Sequence, residues 1–155
     1  MSADARFRQT AQELGYSFDG EIKIGGNYVP IVRHQNELYI SGQIPRIGDT
    51  VVVTGRAGAD TSLAQAQLAA KICAMRALAL VQRSLGSLDE VKRLLRMTLY
   101  VQCAEDFTQQ SEVADGASEI LFFVLGDAGA HTRSSIGVYQ LPKNATVELD
   151  LIAAV

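Results

Sequence analysis

Residues 63–85 constrain the fold most, because their apolar side chains recur with the spacing of one long amphipathic helix. Thr61 or Ser62 can cap the start of this helix, and Gly86 can end it, since glycine readily adopts the conformation of a helix C-terminus. A stripe of this kind is more typical of a helix packed on a core than of a cofactor site. The stripe consists of Leu68, Ile72, Met75, Leu78, Ala79 and Val81.

The N-terminal part of the chain predicts one helix followed by two strands. A helix is predicted over residues 2–14, with Ser2 as its cap and Gly15 as its stop. Residues 28–33 and 38–43 then read as strands separated by a His-Gln-Asn-Glu turn. We therefore expect a β-hairpin in this part of the chain.

The middle of the chain predicts a strand and then another helix. Residues 91–102 alternate between apolar and polar side chains, which indicates a strand with one buried face. Residues 107–125 have helical periodicity and are followed by Gly126 as a stop signal. The predicted buried face of the strand consists of Leu95, Met97, Leu99 and Val101.

The order of these elements is typical of the α+β class, with a mixed β-sheet and two long helices packed on one face. The chain has 155 residues, of which 48% are hydrophobic. A chain of this length can bury a substantial core, so we expect a single compact domain.

Charge and hydropathy argue against nucleic-acid and membrane partners. The net charge is −3, the sequence pI is about 5.3, and the basic residues are scattered, so no basic surface for a nucleic acid is predicted. The N-terminus lacks the pattern of a signal peptide, and no apolar run approaches the ~18 residues of a membrane span. We therefore expect a cytoplasmic protein.

The cysteines and histidines do not have the spacing of a metal or redox site. Cys73 lies within an alanine-rich helical pattern, and Cys103 follows a strand-like run. His34 and His131 are far apart in sequence and have no cysteine cluster beside them. The prediction is two reduced, packed thiols and no metal ion.

The C-terminal 25 residues carry the chemistry. Pro142-Lys143-Asn144 has the composition of a turn between two β-rich arms, which predicts a hairpin with Arg133 on its first arm and Glu148 on its second. A guanidinium binds a carboxylate bidentately, and a nearby carboxylate can hold or activate water. Together they suggest hydrolysis of a small acid. Alternatively, Arg133 is a surface or ion-pair residue and Glu148 lies on a solvated strand face.

Several motifs resemble those of the reactive intermediate deaminase family, also described as YjgF-type or endoribonuclease L-PSP-like. They are the Arg133-Ser134 pair, the Leu-Pro-Lys turn, the Val-Glu-Leu-Asp strand after it, and the Ser-Gly-Gln-Ile-Pro segment that begins at Ser41. The resemblance covers residues 22–155. It implies a chorismate-mutase-like fold, a homotrimer with pockets between subunits, and residues 1–20 as a helical extension of the single domain 1–155.

The resemblance also implies roles for individual residues. Arg133 corresponds to the arginine that binds the substrate carboxylate, and Glu148 to the glutamate that positions the hydrolytic water. Both are therefore expected to be catalytic. The expected substrate-binding residues are Tyr28, Ser41, Gly42 and Ser135.

The function implied is hydrolytic deamination of 2-enamine or 2-imine acids to 2-keto acids and ammonia, without a metal or organic cofactor. A non-catalytic trimer that binds small carboxylates is the alternative, and a ribonuclease is a third. The segment 107–133 is longer than in well-known members, and their helix asparagine has no clear counterpart, with Asp115 the nearest polar residue. This difference predicts an altered pocket rim and an altered substrate preference.

Overall fold

The computed structural model describes residues 1–155. Three short 3-10 turns, at residues 88–90, 126–129 and 142–144, connect longer elements. In chain order, the helices and strands are α1 (Ala3–Leu14), β1 (Ile31–His34), β2 (Glu37–Gln43), β3 (Arg46–Ile47), β4 (Thr50–Val51), α2 (Leu63–Leu85), β5 (Arg93–Gln102), α3 (Gln110–Leu125), β6 (Thr132–Val138) and β7 (Val147–Ala154).

Five strands form one mixed sheet in the order β1-β2-β7-β5-β6, and β3 pairs with β4 as a separate ribbon. Within the large sheet, β5 and β6 are parallel and the other neighbours are antiparallel. Helices α2 and α3 pack on one face, where their apolar side chains share a core with Leu38, Leu99 and Leu149 of the strands. The α+β class with two long helices on one face is therefore confirmed.

The predicted C-terminal hairpin is wrong, because β5 lies between β6 and β7. Leu99 of β5 pairs with Ser135 on one side and with Leu149 on the other. The turn itself crosses the end of β5 and is attached there by Gln102. The Gln102 side chain accepts a hydrogen bond from the Leu141 backbone N–H at 2.8 Å and donates one to Asn144 at 2.7 Å. Turn composition predicts a reversal of direction and does not exclude a third strand between the arms.

The predicted N-terminal helix is confirmed, and it is docked on the rest of the fold. The Ser2 hydroxyl accepts a hydrogen bond from the Ala5 backbone N–H at 3.1 Å, and Gly15 ends the helix with a φ of 75°. Phe7 packs edge-on against Phe18 with ring centroids 6.3 Å apart. These contacts bury one face of α1 on the body of the protein.

Helix α2 begins and ends as predicted. Ser62 and Gln65 form a reciprocal capping box at its start, and Gly86 adopts a φ of 85° at its end. By length and composition, α2 is also apolar enough to cross a membrane, but 72% of its apolar window is buried inside the fold. It is thus a core helix, and the same apolarity serves packing against the sheet.

One detail of the β5 prediction is wrong. The pairing of β5 with β7 shifts between Leu94 and Arg96, which indicates a β-bulge. As a result, Leu94 is buried at 1% exposure and Leu95 is only partly buried, whereas Met97 keeps its predicted place in the core. An extra residue in one strand reverses the alternation on one side of the bulge, and a sequence pattern does not reveal it.

Candidate active site

Glu148 lies on the face of the sheet opposite the helices. It pairs with Tyr100 of β5, while its neighbours Val147 and Leu149 are fully buried in the core. Asp150 occupies the same open face two residues further on and pairs with Thr98. The strand alternation therefore presents two carboxyl groups, close together, on the uncovered side of the sheet.

A pocket of about 300 Å³ opens beside Glu148, and we call it the Glu148 pocket. Three of the predicted site residues line it, Tyr28, Gly42 and Glu148, together with four basic residues. The full lining is Lys23, Ile24, Gly25, Tyr28, Gly42, Gln43, Ile44, Arg46, Arg76, Pro142, Lys143 and Glu148. The structure thus brings the turn after β6, the start of β7 and the end of β2 to one cavity.

A bulge in β2 shapes this pocket. Ile40 pairs with Leu151 and Gln43 with Leu149, so β2 has one residue more than β7 in the stretch that contains Gly42. A Cβ on Gly42 would lie 2.8 Å from Oε1 of Glu148, which is closer than real Cβ contacts. A side chain at this position would therefore displace the Glu148 carboxyl group from its observed place.

Ser41 adjoins the pocket without lining it. Its hydroxyl donates a hydrogen bond to the Pro30 carbonyl at 3.1 Å, and its backbone N–H donates to the same oxygen at 2.9 Å. Within one chain, Ser41 thus ties β2 to the segment that follows Tyr28. Its direct contact with a ligand stays a prediction.

Burial raises the pKa of Glu148 above its ordinary value, and the charge of Asp150 raises it further. Burial also raises the pKa of Asp150, against the opposing effect of the Thr98 and Tyr100 hydroxyls. A carboxyl group with a raised pKa is a stronger base when ionised and holds a proton closer to neutral pH. Glu148 therefore has the properties of a group that accepts a proton from water and returns it.

Arg133 does not reach the Glu148 pocket within one chain. It pairs with Met97, whose side chain is in the core, so Arg133 points to the helix side of the edge strand β6. Its guanidinium donates to Asp115 at 2.8 Å and to the Ser118 hydroxyl at 2.8 Å, both on α3. It also donates to the backbone and side-chain oxygens of Ser111 at 3.1 and 2.9 Å.

Ser135 follows two residues after Arg133 on the same strand and lies outside the lining of the Glu148 pocket. The expected hairpin would have brought Arg133 and Glu148 onto adjacent strands. Instead, two strand spacings, roughly 10 Å, separate β6 from β7, and the two side chains are on opposite faces. One small ligand cannot contact both groups of the same chain.

The pocket contains basic residues that sequence reasoning missed, above all Arg76 and Arg46. Arg76 comes four residues after Ile72 in the stripe of α2, so helical spacing alone places a charge among buried residues. A charged residue in the apolar stripe of a helix is a signal, readable from the sequence, that its side chain has a special role. The sequence offered no such signal for Arg46, which follows a proline and begins the two-residue strand β3. No group of three His, Cys, Asp or Glu side chains lies close enough together to hold a metal ion.

Comparisons with known proteins agree with this architecture. Residues 13–155 match the family described as YjgF/chorismate mutase-like, putative endoribonuclease. Protein TCP17 of Trypanosoma cruzi is 36% identical over 151 residues, which cover 97% of this chain and 94% of that protein.

Solved structures show the same similarity. Protein Atu1372 of Agrobacterium tumefaciens, of unknown function, superposes with a TM-score of 0.89 at 36% identity and covers 99% of this chain and 94% of its own. Escherichia coli TdcF, solved with bound serine, superposes with a TM-score of 0.61 at 25% identity and covers 85% of this chain and 91% of its own. The chain therefore belongs to the YjgF/chorismate mutase-like family.

Proposed function

We propose that this protein hydrolyses 2-imino acids and their enamine tautomers to 2-keto acids and ammonia. The observation that carries the proposal is the half-buried Glu148 carboxyl group, which has a raised pKa and a pocket in front of it. Water attacks C2 of the imine as Glu148 accepts a proton from that water. Glu148 then returns the proton to nitrogen, which gives a carbinolamine at C2. Glu148 next takes the proton of the C2 hydroxyl and delivers it to the amino group, so that ammonia leaves as the C2 carbonyl forms.

Gly42 supports this role because its lack of a side chain leaves room for the Glu148 carboxyl group close to the β2 backbone. Tyr28 forms another part of the wall, at 47% exposure in the single chain. A positioned carboxylate and a pocket beside it would hold water and imine in a reactive arrangement, and such positioning accounts for much of the rate enhancement in enzymes. No metal or organic cofactor takes part in this scheme.

We further propose that Arg133 binds the substrate carboxylate at a site completed between subunits of a homotrimer. The opposite faces of Arg133 and Glu148 in one chain favour this arrangement, because the two can share a ligand only across an interface. Arg133 lies on the edge strand β6, where an adjoining subunit can approach. A closed ring of three identical contacts would form three such sites.

The uncovered sheet face supports the same assembly. It exposes large apolar side chains, including Val32 at 48%, Tyr39 at 43% and Ile136 at 43%. These residues point away from α2 and α3 and lie on the same face of the sheet as the half-buried Glu148 and Asp150. An exposed apolar sheet face is typical of a subunit interface.

The serine bound to TdcF supports a ligand of amino-acid size. The same observation is also compatible with a non-catalytic trimer that binds carboxylates, since a protein can bind an amino acid without converting it. The acidic composition gives no support to a ribonuclease. The absence of nucleic-acid partners and a cytoplasmic location stay predictions.

The test is a coupled assay in which an amino-acid oxidase generates imines and their disappearance is followed with and without this protein. We expect acceleration by the wild-type protein and a loss of at least tenfold in Glu148→Gln. If the wild-type protein binds keto acids and no imine tested disappears faster, the protein is a carboxylate-binding module.

A further inference from the structure

We propose that the basic wall of the Glu148 pocket binds a second acidic group of the ligand, so that the preferred substrates are 2-imino dicarboxylic acids. This inference rests on the proposed imine hydrolysis for its substrate class. The basic wall consists of Lys23, Arg46, Arg76 and Lys143. Its ligand would be the side-chain carboxylate of an imine derived from glutamate or aspartate.

The charges of the pocket are unbalanced. Four basic side chains and one carboxyl group, Glu148, line it. Of the basic groups, only Lys23 has an acidic partner, Asp49, which is itself largely exposed. The other salt bridges of the chain, Lys71 with Glu119 and Arg133 with Asp115, are elsewhere. Arg46, Arg76 and Lys143 therefore face the cavity without an acidic partner.

Arg76 is the strongest part of this imbalance, because it is only 3% exposed. Its three nitrogens donate to neutral oxygens: the Gln43 side chain at 3.2 Å, the Arg46 carbonyl at 2.6 Å and the Lys23 carbonyl at 2.8 Å. These bonds orient the guanidinium and tie two loops to α2. They do not neutralise its charge, and a buried charge without an opposite charge is unfavourable.

Arg46 adds an unsatisfied donor. Its Nε is buried and has no hydrogen-bond partner. Its Nη2 lies 4.0 Å from the point where a side chain on Gly25 would begin, and both residues line the same cavity. Nε itself is closed to solvent, so a ligand in the cavity would contact Arg46 through its terminal nitrogens.

Glu148 does not serve as the missing partner. None of the three salt bridges of the chain includes Glu148, and its raised pKa agrees with the lack of a basic partner. The pocket thus separates a proton-accepting carboxyl group from a basic wall. A dicarboxylic substrate would fit both parts, with C2 near Glu148, its C1 carboxylate on Arg133 of an adjoining subunit, and its distal carboxylate on the basic wall.

Binding tests the basic wall without requiring turnover. We expect glutarate to bind at least tenfold more tightly than valerate, its monocarboxylic equivalent in length, when each is titrated into the wild-type protein in a calorimeter. Arg46→Gln should remove this difference, since a charge-assisted hydrogen bond accounts for roughly a 10- to 100-fold effect. Arg8→Gln, on the exposed side of α1, is the control for loss of one positive charge.

Kinetics tests the substrate class separately. The wild-type kcat/KM should be at least tenfold higher for the imines of glutamate and aspartate than for that of norvaline. Arg46→Gln should lower kcat/KM for the glutamate and aspartate imines at least tenfold more than for the norvaline imine. Equal losses for all three would overturn the inference, because the wall would then bind the C1 carboxylate.

The two failures are distinguishable. If glutarate shows the expected preference and no imine is hydrolysed, the basic wall stands and the proposed hydrolysis fails. If imines are hydrolysed and glutarate binds no better than valerate, the basic wall has no role in selecting dicarboxylates. Tighter binding of inorganic phosphate than of glutarate would also overturn the assignment to a carboxylate. Arg76 is left unchanged throughout, because its bonds hold two loops in place.

Discussion

Gly42→Ala tests whether the Glu148 carboxyl group must stay where it is. The added Cβ would lie 2.8 Å from Oε1 of Glu148, whereas ordinary van der Waals contact begins at 3.4 Å, so the carboxyl group must retreat by about 0.6 Å. A misplacement of about 1 Å at a reacting group can cost roughly 100-fold. We therefore expect kcat for imine hydrolysis to fall about tenfold or more, which corresponds to about 1.4 kcal/mol.

The fold should tolerate this change. The atoms that the new methyl group meets belong to a flexible side chain, and Gly42 does not have a positive φ that would disfavour alanine. The melting temperature should therefore change by less than about 4 °C, the shift expected for about 1 kcal/mol in a chain of this size. Gly42→Ala is thus predicted to lower activity while leaving the stability of the fold nearly unchanged.

The assay is the oxidase-coupled measurement of imine disappearance, run beside thermal unfolding. Gly20→Ala is the matched control, because a Cβ at Gly20 meets no atom within 4 Å. It should leave both kcat and the melting temperature unchanged. Full activity in Gly42→Ala would refute the reasoning, since the carboxyl group would then not need its observed position.

Three further predictions concern Arg133, pH and assembly. Arg133→Ala should lower imine hydrolysis at least tenfold, and Arg133→Lys should be nearly as inactive because lysine lacks the planar fork of the guanidinium. Asp115→Asn, which removes the acidic partner of Arg133 at 2.8 Å, should keep activity. Substantial turnover by Arg133→Ala would contradict a role in carboxylate binding. The pKa of Glu148 is raised in the folded protein, so its ionisation destabilises the fold as pH rises through that pKa. Glu148→Gln should therefore increase the free energy of unfolding more at pH 8 than at pH 4, as measured by urea denaturation at both values, and an equal effect at the two pH values would argue against the raised pKa. Light scattering at micromolar concentration should give about 50 kDa, three times the 16.7 kDa of the chain, and a monodisperse monomer would exclude a site between subunits.

Local signals in the sequence predicted the helices well. Ser62 and Gly86 bound α2 because capping and left-handed glycine depend on a few neighbouring residues. The same holds for Ser2 and Gly15 at the ends of α1. Such features need no knowledge of distant contacts, so a single sequence is sufficient to find them.

Strand order required information that local patterns lack. The turn at 142–144 has the expected composition, with Lys143 and Asn144 at positive φ, yet it spans β5 and does not form a tight hairpin. The pairing of β6 with β5 joins residues far apart in sequence, and no local pattern encodes it. The bulge that exchanges Leu95 for Leu94 in the core has the same cause.

The candidate site shows a similar division. Tyr28, Gly42 and Glu148 were predicted from motifs and line one pocket, whereas Arg133 and Ser135 lie outside it in the single chain. Sequence reasoning did not find the basic wall, because its residues come from α2, the short strand β3, the segment before β1 and the turn at 142–144. Only the folded chain brings those segments together around Arg76.

Complementation between two inactive variants tests the central claim most directly. Arg133→Ala and Glu148→Gln are purified, unfolded together at equal amounts, refolded and assayed for imine hydrolysis. If each site takes Arg133 from one subunit and Glu148 from the next, random mixing leaves about a quarter of the sites intact, and about a quarter of wild-type activity should return. Each variant refolded alone should stay inactive. A mixture that forms mixed oligomers and stays as inactive as its components would contradict a shared site.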